Sequence, residues 1–375
     1  MPQKYKWKWI DYLCFWMKIV RILLLPISFL YGTVTWIRNI LFDVGILSEK
    51  KFKLPIIAMG NLNVGGTGKT PHIEYLIDLL VNNYQLATLS RGYGRITSGY
   101  RIVSIKASVK EIGDEPRQIK QKFKEKIIVA VDANRVRGIH ELQKHKKNLE
   151  VVLLDDAFQH RYVKPGLNVL LTPYQKLYIK DLMLPTGYLR EWSSGSRRAD
   201  IIIVTKTPKS FSALERRIIT DDLSPKPYQK VLFSYYKYGN LKPIKEGQTI
   251  VGIESYSLQK YSALLLTGIA NSSNLFYYLK SSFDTVEHIE FADHHQYSVR
   301  DIEKVKEVFD IIAGEKKIII TTEKDVMRLS HEGLQEAIKD LPIFYLPIQV
   351  KFHGEDGAIF NEQVLRYVRD YKIDS

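Results

Sequence analysis

Between Gly60 and Pro71 the chain reads G-N-L-N-V-G-G-T-G-K-T-P. An apolar run at 54–59 leads into it, and apolar residues at helical spacing follow over 70–81. A strand that ends in a glycine-rich turn and restarts as a helix is the setting of a phosphate-binding loop. The backbone N–H groups of Gly65 to Lys69 then point at phosphate oxygens, aided by the positive end of the helix. The candidate ATP-binding residues are Asn63, Val64, Gly65, Gly66, Thr67, Gly68, Lys69 and Thr70. Lys69 is expected to reach the β- and γ-phosphates, and Thr70 to place its hydroxyl on Mg²⁺. The usual pattern has Gly where Asn63 stands; the Gly65-Gly66 pair supplies that flexibility instead. Such a loop says nucleotide, not which reaction.

Strand-like runs recur at 86–89, 127–131, 151–154, 169–171 and 201–204, with helical stretches between several of them. Fully apolar strands alternating with helices predict an α/β fold: a P-loop NTPase-like, doubly wound, mostly parallel sheet. At 231–254, Tyr235, Tyr236 and Tyr238 sit among turn residues, which reads as a two-stranded connector. A second α/β block follows, with strands at 263–267, 286–291 and 317–321 and helices at 273–279 and 299–312. The expected boundaries are 1–50 for an N-terminal membrane-associated helical segment, 51–230 for the phosphate-loop domain, 231–254 for the connector and 255–375 for a smaller α/β domain. Two domains on a narrow connector enclose a cleft where ligands bind. Cys14 is the single cysteine of 375 residues, so no internal disulfide forms.

Lys and Arg total 55 against 41 Asp and Glu, a net charge of +14. That balance calls for a polyanionic partner: nucleic acid, an anionic membrane face or a phosphorylated substrate. Much of the excess sits early, at Lys4, Lys6, Lys8, Lys18, Arg21, Arg38, Lys50, Lys51 and Lys53, opposed by Asp11, Asp43 and Glu49. Trp7, Trp9, Tyr12, Phe15, Trp16 and Trp36 lie among them. Residues 22–37 carry no charge and include Pro26 and Gly32. A spanning helix needs roughly 20 apolar residues, so this run is short and interrupted, which suits a helix lying in the interface. Each basic residue near anionic lipid adds about 1 kcal/mol. A buried core helix and a single span are the alternatives; a cleaved signal peptide lacks its small-x-small site. Basic residues clustered among tryptophans point to a membrane surface and away from nucleic acid.

The apolar run at 151–154 ends in Asp155 and Asp156, acids placed to hold a magnesium shell. They open the stretch D-D-A-F-Q-H-R (155–161). With the phosphate loop, S-R-G-Y-G-R (90–95), G-D-E-P (113–116), L-P-T-G-Y-L-R-E (184–191), V-T-K (204–206), L-T-G-I-A-N (266–271), F-A-D-H-H (291–295) and T-T-E-K-D (321–325), the chain resembles the tetraacyldisaccharide 4′-kinase family, the lipid A 4′-kinases. The motifs run in the family's order from residue 60 to 325. The family usually has Gly where Ala157 stands, and its loop often has Thr or Ser at the position of Asn63.

The resemblance implies that the γ-phosphate of ATP passes, with Mg²⁺, to the 4′-hydroxyl of a tetraacylated glucosamine disaccharide 1-phosphate. It implies a glycolipid partner and work at the cytoplasmic face of the bacterial inner membrane. It also implies Asp114 as base, supported by His294, with Lys69 completing the catalytic set. His294 is preferred to its neighbour His295 by motif register. Asp155 and Asp156 join Thr70 as metal residues. Glu115, Arg135, Gln159, His160 and Glu191 match other pocket positions, and Arg91, in S-R-G-Y-G-R, is a candidate to position phosphate. Lys324 and Asp325 read as a helix-start ion pair outside the catalytic set. Reactive groups drawn from two domains predict domain closure. The alternative is a membrane-associated P-loop switch or targeting NTPase, which has no need of an acid–histidine pair on a second domain.

Overall fold

The computed structural model describes residues 3–245, 252–330 and 332–371, with side chains from residue 19 onward except 257, 258 and 332. The basic and aromatic side chains between Lys4 and Lys18 therefore lie outside the described residues, as do positions 246–251 of the connector.

The apolar runs form a nine-stranded sheet. Its order is Ile348–Phe352, Lys230–Tyr238, Ile201–Thr205, Leu167–Pro173, Ile56–Asn61, Val151–Asp155, Leu86–Ser90, Ile128–Val131 and Arg101–Ile102. The inner strands pair in parallel, and only the two edge strands run antiparallel to their neighbours. Strand Ile56–Asn61 is buried along its whole length, as a strand covered on both faces must be. One face packs on helices Lys69–Leu80, Asp114–Phe123 and Asp356–Arg369 through Ile73, Leu76, Ile119, Phe360 and Val364. The other packs on Arg135–His145 through Ile139 and Leu142, and on the segment around Tyr178 and Met183. The smaller sheet has the order Val286–Glu290, Ser262–Thr267, Lys317–Thr322, Ile343–Leu346 and Lys242–Pro243, with its own core around Leu265, Ile320, Leu264 and Ile302.

Two expectations change. The chain does not stay in the smaller sheet to its end: Ile348–Phe352 pairs with Lys230–Tyr238, and Asp356–Arg369 covers the large sheet. The two-stranded link is thus made by strands far apart in sequence, the outgoing one ending at Tyr238 and the returning one starting at Ile348. Gly239 N–H donates to the Pro347 carbonyl where they cross, at 2.9 Å. The N-terminal run is also not interrupted. A single helix, Gln3–Asp43, carries Pro26 inside it, and Ile19–Asp43 is long and apolar enough to cross a membrane by length and composition.

The returning segment is held by Asp356, which is almost fully buried. Its carboxylate accepts from the Phe233 N–H at 2.8 Å and pairs with Arg216. Asp356→Ala leaves that buried N–H without an acceptor. We expect a loss of about 1–3 kcal/mol in a denaturant unfolding experiment, with the transition remaining cooperative.

Candidate active site

The candidate side chains collect at the carboxyl ends of the parallel strands, where a doubly wound sheet leaves its crevice. The phosphate loop follows Ile56–Asn61 directly. Gly65 and Gly68 adopt φ of 105° and 95°, a region that side chains with Cβ rarely enter. A Cβ on Gly68 would collide with the Tyr236 hydroxyl, so the loop backbone packs directly against that side chain of the connector strand. Asn63 is buried and spans outward, donating to Asp181 at 2.8 Å, while Val64 N–H donates to the Tyr188 carbonyl at 2.8 Å. The residue that departs from the usual glycine thus anchors the loop to the 184–191 motif. Thr205 Oγ donates to the Thr67 carbonyl at 2.8 Å and Lys206 Nζ to the Gly66 carbonyl at 2.6 Å.

Lys69, at the first turn of its helix, lies 3.4 Å from Asp156 and 3.4 Å from the Asn61 side-chain oxygen. Arg190 reaches both Asp156 oxygens at 3.0 Å. The two adjacent aspartates are driven in opposite directions. Burial acts against the charge of Asp156, but Lys69 and Arg190 outweigh it and hold its carboxyl below the usual range. Asp155 has neither partner. Burial, then the charge of Glu115, push it up to about 7, against the pull of Lys69 and Arg135. Both of its oxygens are buried with no hydrogen-bond partner. Asp156 turns out of the strand through a φ of 49°, which separates the two side chains.

The second half of the site comes from the smaller sheet. His294 Nδ1 lies 2.9 Å from Asp114 Oδ2. Asp114 opens helix Asp114–Phe123, and its other oxygen accepts from the Glu115 N–H at 3.0 Å. Burial again opposes its charge, but the His294 hydrogen bond and the charge of Lys324 prevail and lower it to about 2. His294 holds a φ of 61°, so the loop bends sharply there. The neighbouring ring goes elsewhere: His295 stacks on Phe291 at 4.4 Å and pairs with Asp301 at 3.1 Å. A Cβ on Gly66 would sit 3.6 Å from the Ala270 methyl, so the L-T-G-I-A-N loop reaches the phosphate loop.

Not every expected residue faces this crevice. Arg135 is buried, and its guanidinium donates to the backbone carbonyls of Asp132 and Asp155, tying two strand ends together. Burial lowers it to about 10, offset by the nearby aspartates. Glu191 is buried too, accepting from Asn39 at 2.8 Å, Gln159 at 3.0 Å and Arg198 at 2.7 Å. Gln159 also donates to the Asn61 carbonyl at 2.8 Å. These two join the N-terminal helix to the phosphate-loop strand. His160 bonds the Ala133 carbonyl at 3.1 Å, and Arg91 is exposed just past the end of its strand. Glu115 stands 3.9 Å from Lys324. Lys324 is no helix-start partner of Asp325. It turns to the Asp114–His294 pair, while Asp325 pairs with Arg328 at 2.9 Å. Arg190, Lys206 and Lys324 stand in motifs already quoted, but nothing in their spacing says which way the side chains turn.

Residues 20–369 match the profile described as Tetraacyldisaccharide-1-P 4′-kinase. The chain belongs to the tetraacyldisaccharide-1-P 4′-kinase family. A Tetraacyldisaccharide 4′-kinase of Bacteroides thetaiotaomicron is 46% identical over 355 residues, covering 92% of this chain and 93% of its own. One from Flavobacterium johnsoniae is 44% identical, covering 94% and 99%. A crystal structure of the Aquifex aeolicus family member in complex with ATP superimposes with a TM-score of 0.70 at 30% identity, over 92% of this chain and 99% of that one. The family is one of ATP-dependent kinases, and the switch NTPase is not favoured. The apolar helix and the family together are consistent with membrane association.

The raised Asp155 gives a pH test in this kinase. Its folded value lies above that of the unfolded chain, so the fold favours the protonated form. Stability is therefore lost as pH rises from about 4 through about 7. Asp155→Asn removes that penalty. Its unfolding free energy relative to wild type should increase from pH 5 to pH 8, measured without nucleotide, while phosphotransfer is lost.

Proposed function

We propose that the protein transfers the γ-phosphate of ATP to the 4′-hydroxyl of a tetraacylated glucosamine disaccharide 1-phosphate, at the cytoplasmic face of the inner membrane. The observation that carries the reading is the Asp114–His294 pair, assembled from two sheets beside a phosphate loop. A nucleotide switch has no use for that pair; a kinase needs it to orient the attacking hydroxyl.

The loop N–H groups and Lys69 hold the β- and γ-phosphates. Arg190 then keeps Asp156 charged when Lys69 turns to nucleotide. The 4′-hydroxyl meets the pair at His294, whose side chain is 32% exposed against 5% for Asp114. The hydroxyl oxygen attacks phosphorus, the bond to the ADP oxygen breaks, and the hydroxyl proton passes to the pair. The Asp114 carboxylate stabilises the imidazolium that results. Phosphoryl transfer proceeds through a loose transition state, so an orienting acceptor suffices even when its carboxyl is held at about 2.

Asp155 fits a magnesium ion, with Thr70 expected to join it, whereas Asp156 is engaged by Lys69 and Arg190. Asp155 offers two buried oxygens without partners, and Mg²⁺ is commonly held by one or two carboxylates with phosphate oxygens supplying the rest. When bound, the ion would neutralise charge on the nucleotide phosphates.

The acyl chains and bilayer are assigned to the N-terminal helix. Leu23, Phe29, Leu30 and Val34 expose 58–70% of their surface. The opposite face is docked on the protein through Ser28 to Thr186 at 2.7 Å, Tyr31 to the Arg190 carbonyl at 3.0 Å and Asn39 to Glu191 at 2.8 Å. A perpendicular span over Ile19–Asp43 would drag these polar contacts into hydrocarbon, which favours a helix lying along the interface.

The direct test is transfer of labelled γ-phosphate to the acylated disaccharide 1-phosphate in detergent micelles. Product is expected from the wild type. Asp114→Ala should reduce kcat about 10²–10⁴-fold with ATP affinity nearly unchanged. Absence of product from the pure, folded wild type would overturn the reading.

A further inference from the structure

Lys324 reaches into the pair from outside. Its Nζ lies 3.2 Å from His294 Nε2, 3.6 Å from Asp114 Oδ2 and 3.9 Å from Glu115. An ammonium only donates and a carboxylate only accepts. His294 Nδ1 must therefore carry the proton shared with Asp114, and Nε2 must present its lone pair to Lys324. The other charge near that nitrogen is Asp293, whose carboxylate stands 3.7 Å from Nε2 and favours a proton there. Without Lys324, the imidazole would lie between two carboxylates. No donor would then face Nε2 to fix it as the accepting nitrogen.

The lysine is mounted firmly. It is the second residue of helix Glu323–Leu329, whose N-cap Thr322 accepts from the Asp325 N–H at 3.1 Å. Asp325 is fully buried and accepts from the Gly268 N–H at 3.1 Å and the Tyr297 hydroxyl at 3.0 Å. Arg328 of the same helix donates to the Gly268 carbonyl at 3.0 Å and the His295 carbonyl at 3.2 Å, and so grips the loop that carries His294. From the other side, Arg117 of the Asp114 helix donates to the Met327 carbonyl at 2.9 Å. One short helix thus fixes the histidine loop, the aspartate helix and the lysine relative to each other.

We infer that Lys324 is a positioning residue for the phosphotransfer, holding His294 as the Nδ1–H form with its Nε2 lone pair turned to the lysine until the 4′-hydroxyl takes the lysine's place. The inference rests on the Asp114–His294 reading given under Proposed function. Its test combines kinetics with ¹⁵N resonances of histidine-labelled protein, the His294 signals being those absent from His294→Ala. The wild type should show one protonated and one unprotonated ring nitrogen. Lys324→Met and Lys324→Gln should show altered His294 ring-nitrogen signals, with kcat down about 10²-fold or more, ATP KM within a few-fold of wild type and thermal stability little changed. Wild-type kcat in the Met and Gln variants, or a kcat loss with the imidazole signals unaltered, overturns the inference. Asp114→Ala and His294→Ala run alongside separate the two ideas. If they are inactive while the Lys324 variants are not, only the lysine's role fails; if they too are fully active, the reading of the pair fails.

Discussion

One hydrogen bond, from His294 on the smaller sheet to Asp114 at the start of a helix on the larger one, sets the terms for the rest of the structure. Neither residue does much alone. A buried carboxylate without a partner would take up a proton, and a histidine at a bent loop would be an ordinary polar side chain. In the proposed reaction they form an oriented acceptor together, but only if two sheets built from distant parts of the chain meet in fixed register. The fold supplies that register twice. The crossing strands that end at Tyr238 and start at Ile348 tie the bodies at one place. The helix at Glu323–Leu329 ties them beside the site.

The charges around the phosphate loop follow the same logic of pairing against burial. Adjacent aspartates differ because Asp156 turns toward Lys69 and Arg190, while Asp155 continues along the strand into a buried space where its side-chain oxygens meet no hydrogen-bond partner among the described residues. The first is a fixed anion that positions the loop lysine. The second carries stored unfavourable energy when charged, which a divalent cation would relieve. The N-terminal helix is connected to this centre through Glu191, whose carboxylate receives Asn39 from the helix and Gln159 from beside Asp156. Two hydrogen bonds on Glu191 thus join the N-terminal helix to Gln159, which in turn donates to the Asn61 carbonyl at the end of the phosphate-loop strand.

The phosphate loop was legible because its rule is local: glycines at positive φ, a strand before and a helix after. The parallel sheet was legible because strands buried on both faces must be apolar throughout, as residues 56–61 and 151–154 are. The return of residues 348–352 to the large sheet was not. An apolar run declares a strand but not its neighbour, and this one pairs with residues more than a hundred positions earlier. The unbroken helix through Pro26 also escaped, since proline removes one hydrogen bond without forbidding the turns on either side. Among candidate site residues, the motifs named Asp114 and His294, and the fold brings these two into contact. Arg190, Lys206 and Lys324 were not assigned roles, because a basic side chain's direction is decided by which carboxylates or carbonyls tertiary folding brings near it. Arg135 and Glu191 are the reverse case: charged residues in the right motifs, yet engaged in tying backbone and helix together.

The central claim is that Asp114 and His294 act as a unit. A double-mutant cycle on kcat for phosphotransfer, using Asp114→Ala, His294→Ala and the double variant, tests it most directly. If the two groups work only as a pair, the double variant is no slower than the slower single variant. Losses that multiply, so that the double variant is slower by the product of the two single effects, would contradict it.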